Sequence, residues 1–331
     1  EPDLRFQTHR ATVGWSMFPK TDSFLSFGYS PVGSPTGGLA GKMEPAEIIY
    51  SQRTRVTRNL ILRLGVGAVR FGADDFLLLP GFDGSLAAAG TQPVPTADVD
   101  VQALAGVSYR FNNHFSLDLD FRRSPITYTH VSTGMGVMEN EWNAGLNYDF
   151  DPRTSLRFDY GYSLYTAVGP SADRPANIPG QCRTVADPNR RCTDHANVLR
   201  VVFNRNLYGS DRLAFDLGYT TSYQDFAGPK RDIFMGFFNP DSYQVHQATS
   251  RFWANLFPRL DFELRGAYGV RQQSELGVNG PIRPGESVSP SFVIRVHRRL
   301  TVTLRYSYYR TSQTFGDLSG NVFTVVTDWR F

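Results

Sequence analysis

The chain has 331 residues, 41% of them hydrophobic, and a formal net charge of +3. No apolar run approaches the roughly 20 residues that a membrane-spanning helix needs, so transmembrane helices are excluded. A charge this close to neutral gives no basis for nucleic-acid binding or a polybasic membrane patch, whereas 25 Phe, 16 Tyr and 30 Gly favour strands and tight turns, hence an all-β protein.

The chain opens on Glu1, Pro2 and Asp3, without the basic region and apolar core of a secretory signal, which suits a mature chain or the carboxy-terminal part of a longer protein. Residues 3–8 read as a first strand, joined by a tight hairpin near His9 and Arg10 to strands at 11–18 and 23–30, which flank a polar turn at 19–22; a strand upstream of Glu1 in a longer protein would serve equally. From there one unit returns every 40 to 57 residues, at 60–66, 115–121, 156–162, 213–219, 260–266 and 300–306. In each copy alternate residues are apolar or aromatic, the two-residue period of a strand with one buried face. The second face carries Arg63, Asp118, Asp120, Arg157, Asp159, Asp216, Asp261, Glu263, Arg265 and Arg305, so it must be wet.

Short polar turns precede these strands, at 57–59, 112–114, 151–154, 209–212, 258–259 and 298–299. Longer segments rich in Gly, Pro, Asp and Ser follow most of them, at 72–97, 168–195, 227–241, 273–288 and 311–320, and read as loops. Returning strands with weaker alternation lie near 44–56, 98–110, 137–150, 196–208, 242–257 and 287–297. The chain closes on a strand at 321–331, with Phe323, Val325, Thr327, Trp329 and Phe331 on one face and Thr324, Val326, Asp328 and Arg330 on the other.

Apolar residues on one face only, turns short at one end and long at the other, and a terminal aromatic strand together predict a transmembrane antiparallel up-and-down β-barrel. It has short periplasmic turns and long extracellular loops, in the outer membrane of a Gram-negative bacterium. The expectation is one barrel domain over residues 1–331 with sixteen strands, fourteen being the alternative. Its surroundings are lipid and lipopolysaccharide. Phe323, Val325, Trp329 and Phe331 resemble the closing strand that barrel-assembly machinery reads during insertion.

Sixteen strands leave a lumen wide enough for water. The ten charged residues above, together with Asp328 and Arg330, are the candidate lumen lining, mixing both signs so that no single-sign field selects ions strongly. They can also be read as pairs across neighbouring strands that only keep the wall wet. Asp118 with Asp120 and Asp261 with Glu263 have spacings that any charged lumen produces, and the six His are scattered, so an enzyme is not expected. Gly65 and Gly67 begin a nucleotide-like glycine pattern that Arg70 interrupts, and no cofactor is implied. The apolar run 76–80 contacts lipid headgroups or plugs the lumen.

Cys182 and Cys192, in the longest polar loop, are expected to form a disulfide; His195 is the one ligand nearby, so zinc is not expected. Phe234, Phe237, Phe238 and Tyr243 are concentrated in a segment otherwise expected to be polar. Their flat faces could pack on sugar rings, beside Asp232, Asn239 and Asp241 as partners for hydroxyls; the alternative is a loop folded back to narrow the pore.

The run Gly236-Phe-Phe-Asn-Pro-Asp-Ser-Tyr243, followed by a long strand and the turn at Pro258, resembles the Gly-Tyr-Phe-Ser-Pro-x-x-Tyr pattern in the carboxy-terminal barrels of bacterial cellulose-export subunits and related tetratricopeptide-repeat outer-membrane proteins. Phe237 stands for the family's Tyr and Asn239 for its Ser, and residues 1–331 contain no such repeat. The resemblance implies a conduit for an exopolysaccharide, with a periplasmic helical-repeat scaffold as partner. A passive porin for small polar solutes and a surface-binding or adhesion barrel with a closed lumen are the competing expectations.

Overall fold

The protein is described here by a computed structural model, which covers residues 5–6, 9–29, 32–33, 45–71, 98–126, 137–167, 193–226, 241–275, 277–298, 300–313 and 316–329. Its strands are β1 (Arg5–Phe6), β2 (His9–Phe18), β3 (Thr21–Tyr29), β4 (Val32–Gly33), β5 (Ala46–Arg55), β6 (Leu60–Phe71), β7 (Asp98–Arg110), β8 (Phe115–Pro125) and β9 (Val137–Asp151). They continue with β10 (Thr154–Ala167), β11 (Thr193–Gly209), β12 (Leu213–Phe226), β13 (Ser242–Phe257), β14 (Leu260–Glu275), β15 (Val278–Asn279), β16 (Arg283–His297), β17 (Leu300–Gln313) and β18 (Gly316–Trp329). There is no helix among the described residues.

One sheet holds sixteen strands, the number expected. Fifteen of them follow one another as an antiparallel meander from β2 to β18, and the two-residue β15 pairs beside β14. The last strand returns to lie against the first, with no ladder between them among the described residues. This is the up-and-down layout that a chain can build from hairpins alone.

The sixteenth strand is not the one that the sequence suggested. Arg5 and Phe6 pair with Gly33 and Val32, in the same register in which His9 and Arg10 pair with Tyr29 and Gly28. Residues 5–6 therefore extend the β2–β3 ladder, and no hairpin interrupts it at His9 and Arg10. Two expected loops are also mostly strand. β17 and β18 pair from Gln313↔Gly316 onward, so 311–313 and 316–320 are strand. In 273–288, β14 reaches Glu275 and β16 starts at Arg283, leaving a short turn around Gly277, whose φ of +76° suits a residue without a Cβ. Its N–H donates to Asp241 Oδ2 at 2.6 Å.

The short turns are closed by their own polar side chains. Asn112 Oδ1 accepts the N–H groups of His114 and Phe115, both at 2.8 Å, and Thr57 Oγ1 accepts those of Asn59 and Leu60 at 3.2 and 3.1 Å. Ser210 Oγ accepts Leu213 N–H at 3.0 Å. These local bonds explain why Asn, Thr and Ser stand there.

Many large apolar side chains are exposed, among them Leu64 at 59%, Val66 at 58%, Tyr160 at 52% and Phe323 at 68%. Residues withdrawn from the surface include Ser23, Gln102, Ser163, Thr220, Asp261 and Ser291. On the apolar face, rings cluster in two bands. Tyr109 meets Phe111 edge-on at 4.8 Å and Tyr148 meets Phe150 at 4.9 Å near the turns; Trp142 packs on Phe121 at 5.2 Å and on Tyr162 at 5.8 Å farther along. From Trp142 to Phe150 is about 27 Å along a strand at 3.4 Å per residue. A tilt of about 40° makes that roughly 20 Å along the membrane normal, close to the apolar band between the aromatic girdles of an outer-membrane barrel.

Buried apolar side chains gather at the other end, where the long connections leave. Phe71, Ile126 and Tyr165 end or follow strands, and Val137 and Ala196 lie at the start of others. Val69, Phe71 and Met138 form one cluster, and Tyr165 stacks on Phe226 at 6.2 Å.

Candidate functional site

Register places the predicted charged residues on a single face. Arg63 stands opposite Gly106, Gly106 opposite Asp120 and Ser108 opposite Asp118, and Gly145 lies between Asp118 and Asp159. Arg63 Nη2 donates to Asp120 Oδ1 at 2.8 Å and lies 3.9 Å from Asp118 Oδ1. Arg157 reaches back over β9, donating from Nη1 to Asp118 Oδ2 at 2.9 Å and from Nε to Asp159 Oδ1 at 2.7 Å. Asp118 also takes the hydroxyl of Ser108. The result is an alternating chain, Asp120, Arg63, Asp118, Arg157 and Asp159, across five strands.

Glycine makes that bridging possible. A Cβ on Gly145 would stand 2.5 Å from Arg157 Nη2 and 2.7 Å from Asp159 Oδ1, and one on Gly106 would stand 2.9 Å from Arg63 Nε. The missing side chains on β7 and β9 leave the corridor through which the guanidinium groups reach their acids.

A second chain crosses β11 to β14. Arg251 donates from Nε to Glu263 Oε2 at 2.7 Å and from Nη1 to Asp216 Oδ2 at 3.3 Å. Arg265 Nε donates to the other oxygen of Glu263 at 2.6 Å, and Asn206 Nδ2 donates to Asp216 Oδ1 at 2.6 Å. Asp261 is held separately, by Arg295 and by Asn255 Nδ2, the latter at 2.8 Å. The second chain borders a cavity of about 1230 Å³, whose lining includes Asn204, Asn206, Thr249, Ser287 and Ser289. Neutral hydroxyl and amide groups thus share the cavity wall with charges that already have partners.

The remaining predicted residues are not gathered into these chains. Arg305 lies on the same face, opposite Ser291 and Thr324, with no ion pair among the described residues. Asp328 holds the strand position opposite Thr301. Tyr243 stands opposite Gln224 and Gln273 and hydrogen-bonds Arg271. Phe234, Phe237 and Phe238 lie outside the described residues, as do Cys182, Cys192, Arg330, Phe331 and the run 76–80. Phe323 and Val325 lie on the apolar face, and Trp329 is placed opposite Leu300.

Arg251, Arg295, Asn206 and Asn255 were not anticipated. Each belongs to a returning strand whose other residues alternate poorly. The signal was present as position: counting by twos through β13 places Arg251 on the face of Trp253 and Asn255, and pairing then sets it against Asp216.

No family profile matches the sequence, and no curated protein is significantly similar to it. Among solved structures, the fold is similar to a bacterial polysaccharide outer membrane secretin, with a TM-score of 0.66 at 11% identity over 98% of this chain and 91% of the other. The FrpB iron transporter of Neisseria meningitidis gives 0.48 at 13% identity, over 98% of this chain and 54% of the transporter. OmpT, an outer membrane protein of Vibrio cholerae, gives 0.41 at 11% identity, over 98% and 96%. The architecture is that of the outer-membrane β-barrels, and it resembles a barrel of polysaccharide export over nearly its whole length.

Proposed function

We propose that the chain is an outer-membrane channel that conducts an exopolysaccharide outward, with the polar face as its lumen lining and the short turns on the periplasmic side. The carrying observation is the inverted wall: apolar side chains face out, while charges and amides face a cavity of about 1230 Å³. Compensated charges beside Asn, Ser and Thr offer hydroxyl-rich solutes many exchangeable hydrogen bonds without holding one ion tightly. The likeness to a polysaccharide secretin supports the choice of cargo. In this reading the protein is not an enzyme, its last strand is recognised by the assembly machinery, and a helical-repeat scaffold serves it from the periplasm.

The segment carrying Phe234, Phe237 and Phe238 and ending at Tyr243 is assigned to the route of the glycan, with stacking on sugar rings. Planar-bilayer conductance and polymer output, measured in parallel, test this. Phe237→Ala with Phe238→Ala should lower export while leaving ion conductance near wild type. A rise in conductance without lost export would make the segment a cap.

One observation favours the closed-barrel alternative. Val69, Phe71 and Met138 are fully or almost fully buried at the end where the long connections leave, which would suit a lumen shut there. A protein without conductance or polymer output would be that surface-binding barrel.

A further inference from the structure

Resting on the export reading, a second pocket on the polar face identifies the class of polymer. Most arginines that bridge the wall from β6 to β16 have a carboxylate against them. At the turn end of β2, β3, β5 and β6 the arrangement changes. Lys20, Arg53, Arg55 and Arg58 surround a cavity of about 520 Å³ in which Asp22 is the one acid. Ser16 donates its hydroxyl to Asp22 Oδ1 at 2.5 Å, and none of the four cations has an ion pair among the described residues.

Arg53 makes the point most directly. It stands between Asp22, opposite it across the β3–β5 ladder, and Arg63, opposite it across the β5–β6 ladder; like charges disfavour the second pairing, and Asp22 is one carboxylate among four cations. Arg63 is drawn toward Asp120 and Asp118 on the far side, while Arg53 is left facing the cavity. The strands' other face is neutral at this level, with Thr21, Gln52 and Thr54 in register, so the charge is not directed at lipid headgroups. The pocket also belongs to a wider collar. Six of the seven turns at this end carry Lys or Arg, from Lys20 through Arg153 and Arg259 to Arg298, and at the seventh Arg110, the last residue of β7, donates to the carbonyls of Asn112 and Asn113. Among the nearby acids, Asp151 already accepts the N–H of Arg153 and the hydroxyl of Thr154 in its own turn.

We propose that this pocket is the entry site for an acidic polysaccharide, a polymer whose repeat carries carboxylates. Guanidinium groups match carboxylates two bonds at a time and keep their charge at any physiological pH. A concave wall of one sign raises the local concentration of the opposite sign and speeds capture. Beyond the entry, the compensated lattice and the neutral amides let the captured chain move on rather than stay bound.

The test uses short oligogalacturonates, with neutral cello-oligosaccharides of equal length as the control. Binding to the detergent-solubilised full chain is measured by calorimetry, and current block is measured from the turn side of a planar bilayer. The uronates should bind at least about tenfold more tightly. Arg53→Gln with Arg55→Gln and Arg58→Gln should abolish that preference, the scale expected from removing three exposed ion pairs together. Raising salt from 0.1 to 1 M should do the same, as the screening length falls from about 10 to about 3 Å. Heat-dependent gel mobility checks that the triple variant folds; if it does not, Lys20→Gln and Arg58→Gln, both on exposed turns, should each weaken the preference about two- to threefold. Equal affinity for both sugars would overturn the acidic class and leave polysaccharide export standing. An unchanged preference in the variants would remove the pocket from the route. Binding of neither sugar, with no conductance, would sink the export reading as well.

Discussion

The two faces of β10 differ sharply. Phe158 and Tyr160 are 44% and 52% exposed, while the side chain of Asp159, between them, is 13% exposed and bonded to Arg157. In water the exposed rings would be costly, since transfer of apolar surface out of water is favourable, whereas the carboxylate, being paired, can stay withdrawn. Facing lipid, the apolar side chains lose nothing by exposure, and Asp159 is stabilised by its partners. The difference is the one a wall facing lipid requires, with a polar face that satisfies itself.

The largest effect should come from placing charge on the wrong side. Phe158→Arg near the middle of the apolar band should destabilise the barrel in bilayers by about 2–4 kcal/mol. Asp159→Leu should do less harm, because Arg157 keeps Asp118. Urea titration of both variants in lipid vesicles gives the ranking, and the reverse order would exchange the two faces.

A smaller loss is expected from filling the corridor over β9. Gly145→Val puts side-chain carbon where Arg157 Nη2 and Asp159 Oδ1 stand. The guanidinium must leave one acid or the strand must shift, an overpacking cost of about 1–3 kcal/mol. Gly145→Ala should fall at the lower end of that range. If both variants were as stable as wild type, the alternating chain would not depend on the glycine.

These glycines also show what could be read beforehand. The leading strands announced themselves because Leu, Phe and Tyr recur every second residue beside Asp and Arg, and that pattern located Asp216, Asp261 and Glu263 on one face. Their partners Arg251 and Arg295 went unnoticed because β13 and β16 mix Ser, Thr and Pro into both faces and the period fades. The loops expected at 273–288 and 311–320 were overestimated for a similar reason. Ser274, Pro284 and Ser312 look like loop residues, yet the ladders of β14, β16 and β17 carry on through them. Bridging over Gly106 and Gly145 is a three-strand property that no single stretch of sequence contains.

Asp118 is the shared acid of the first chain, so removing it tests whether the chain acts as a unit. Asp118→Ala leaves Arg63 on Asp120 and Arg157 on Asp159, and the loss should be about 1–2 kcal/mol, as for a charge-assisted bond that is partly exposed. Asp120→Ala, at the end of the chain, should cost less. A double-mutant cycle with Arg157→Gln measures the coupling; a value near zero would reduce the chain to independent pairs.

The smallest change in stability should accompany a clear change in electrical behaviour. Asp216→Asn with Glu263→Gln keeps the shapes and several hydrogen bonds of the second chain but removes both carboxylates that neutralise Arg251 and Arg265. The pairs are 14–57% exposed at the side-chain level, a range in which ion pairs contribute little, so unfolding should shift by less than about 1 kcal/mol. The two guanidinium groups would then face the cavity of about 1230 Å³ uncompensated. Reversal potentials in a salt gradient should move toward anion preference, and the shift should fade as ionic strength rises and screening shortens. Unaltered selectivity would mean that ions pass elsewhere or not at all, and that the polar face of β12 to β14 is a structural lattice without a part in conduction.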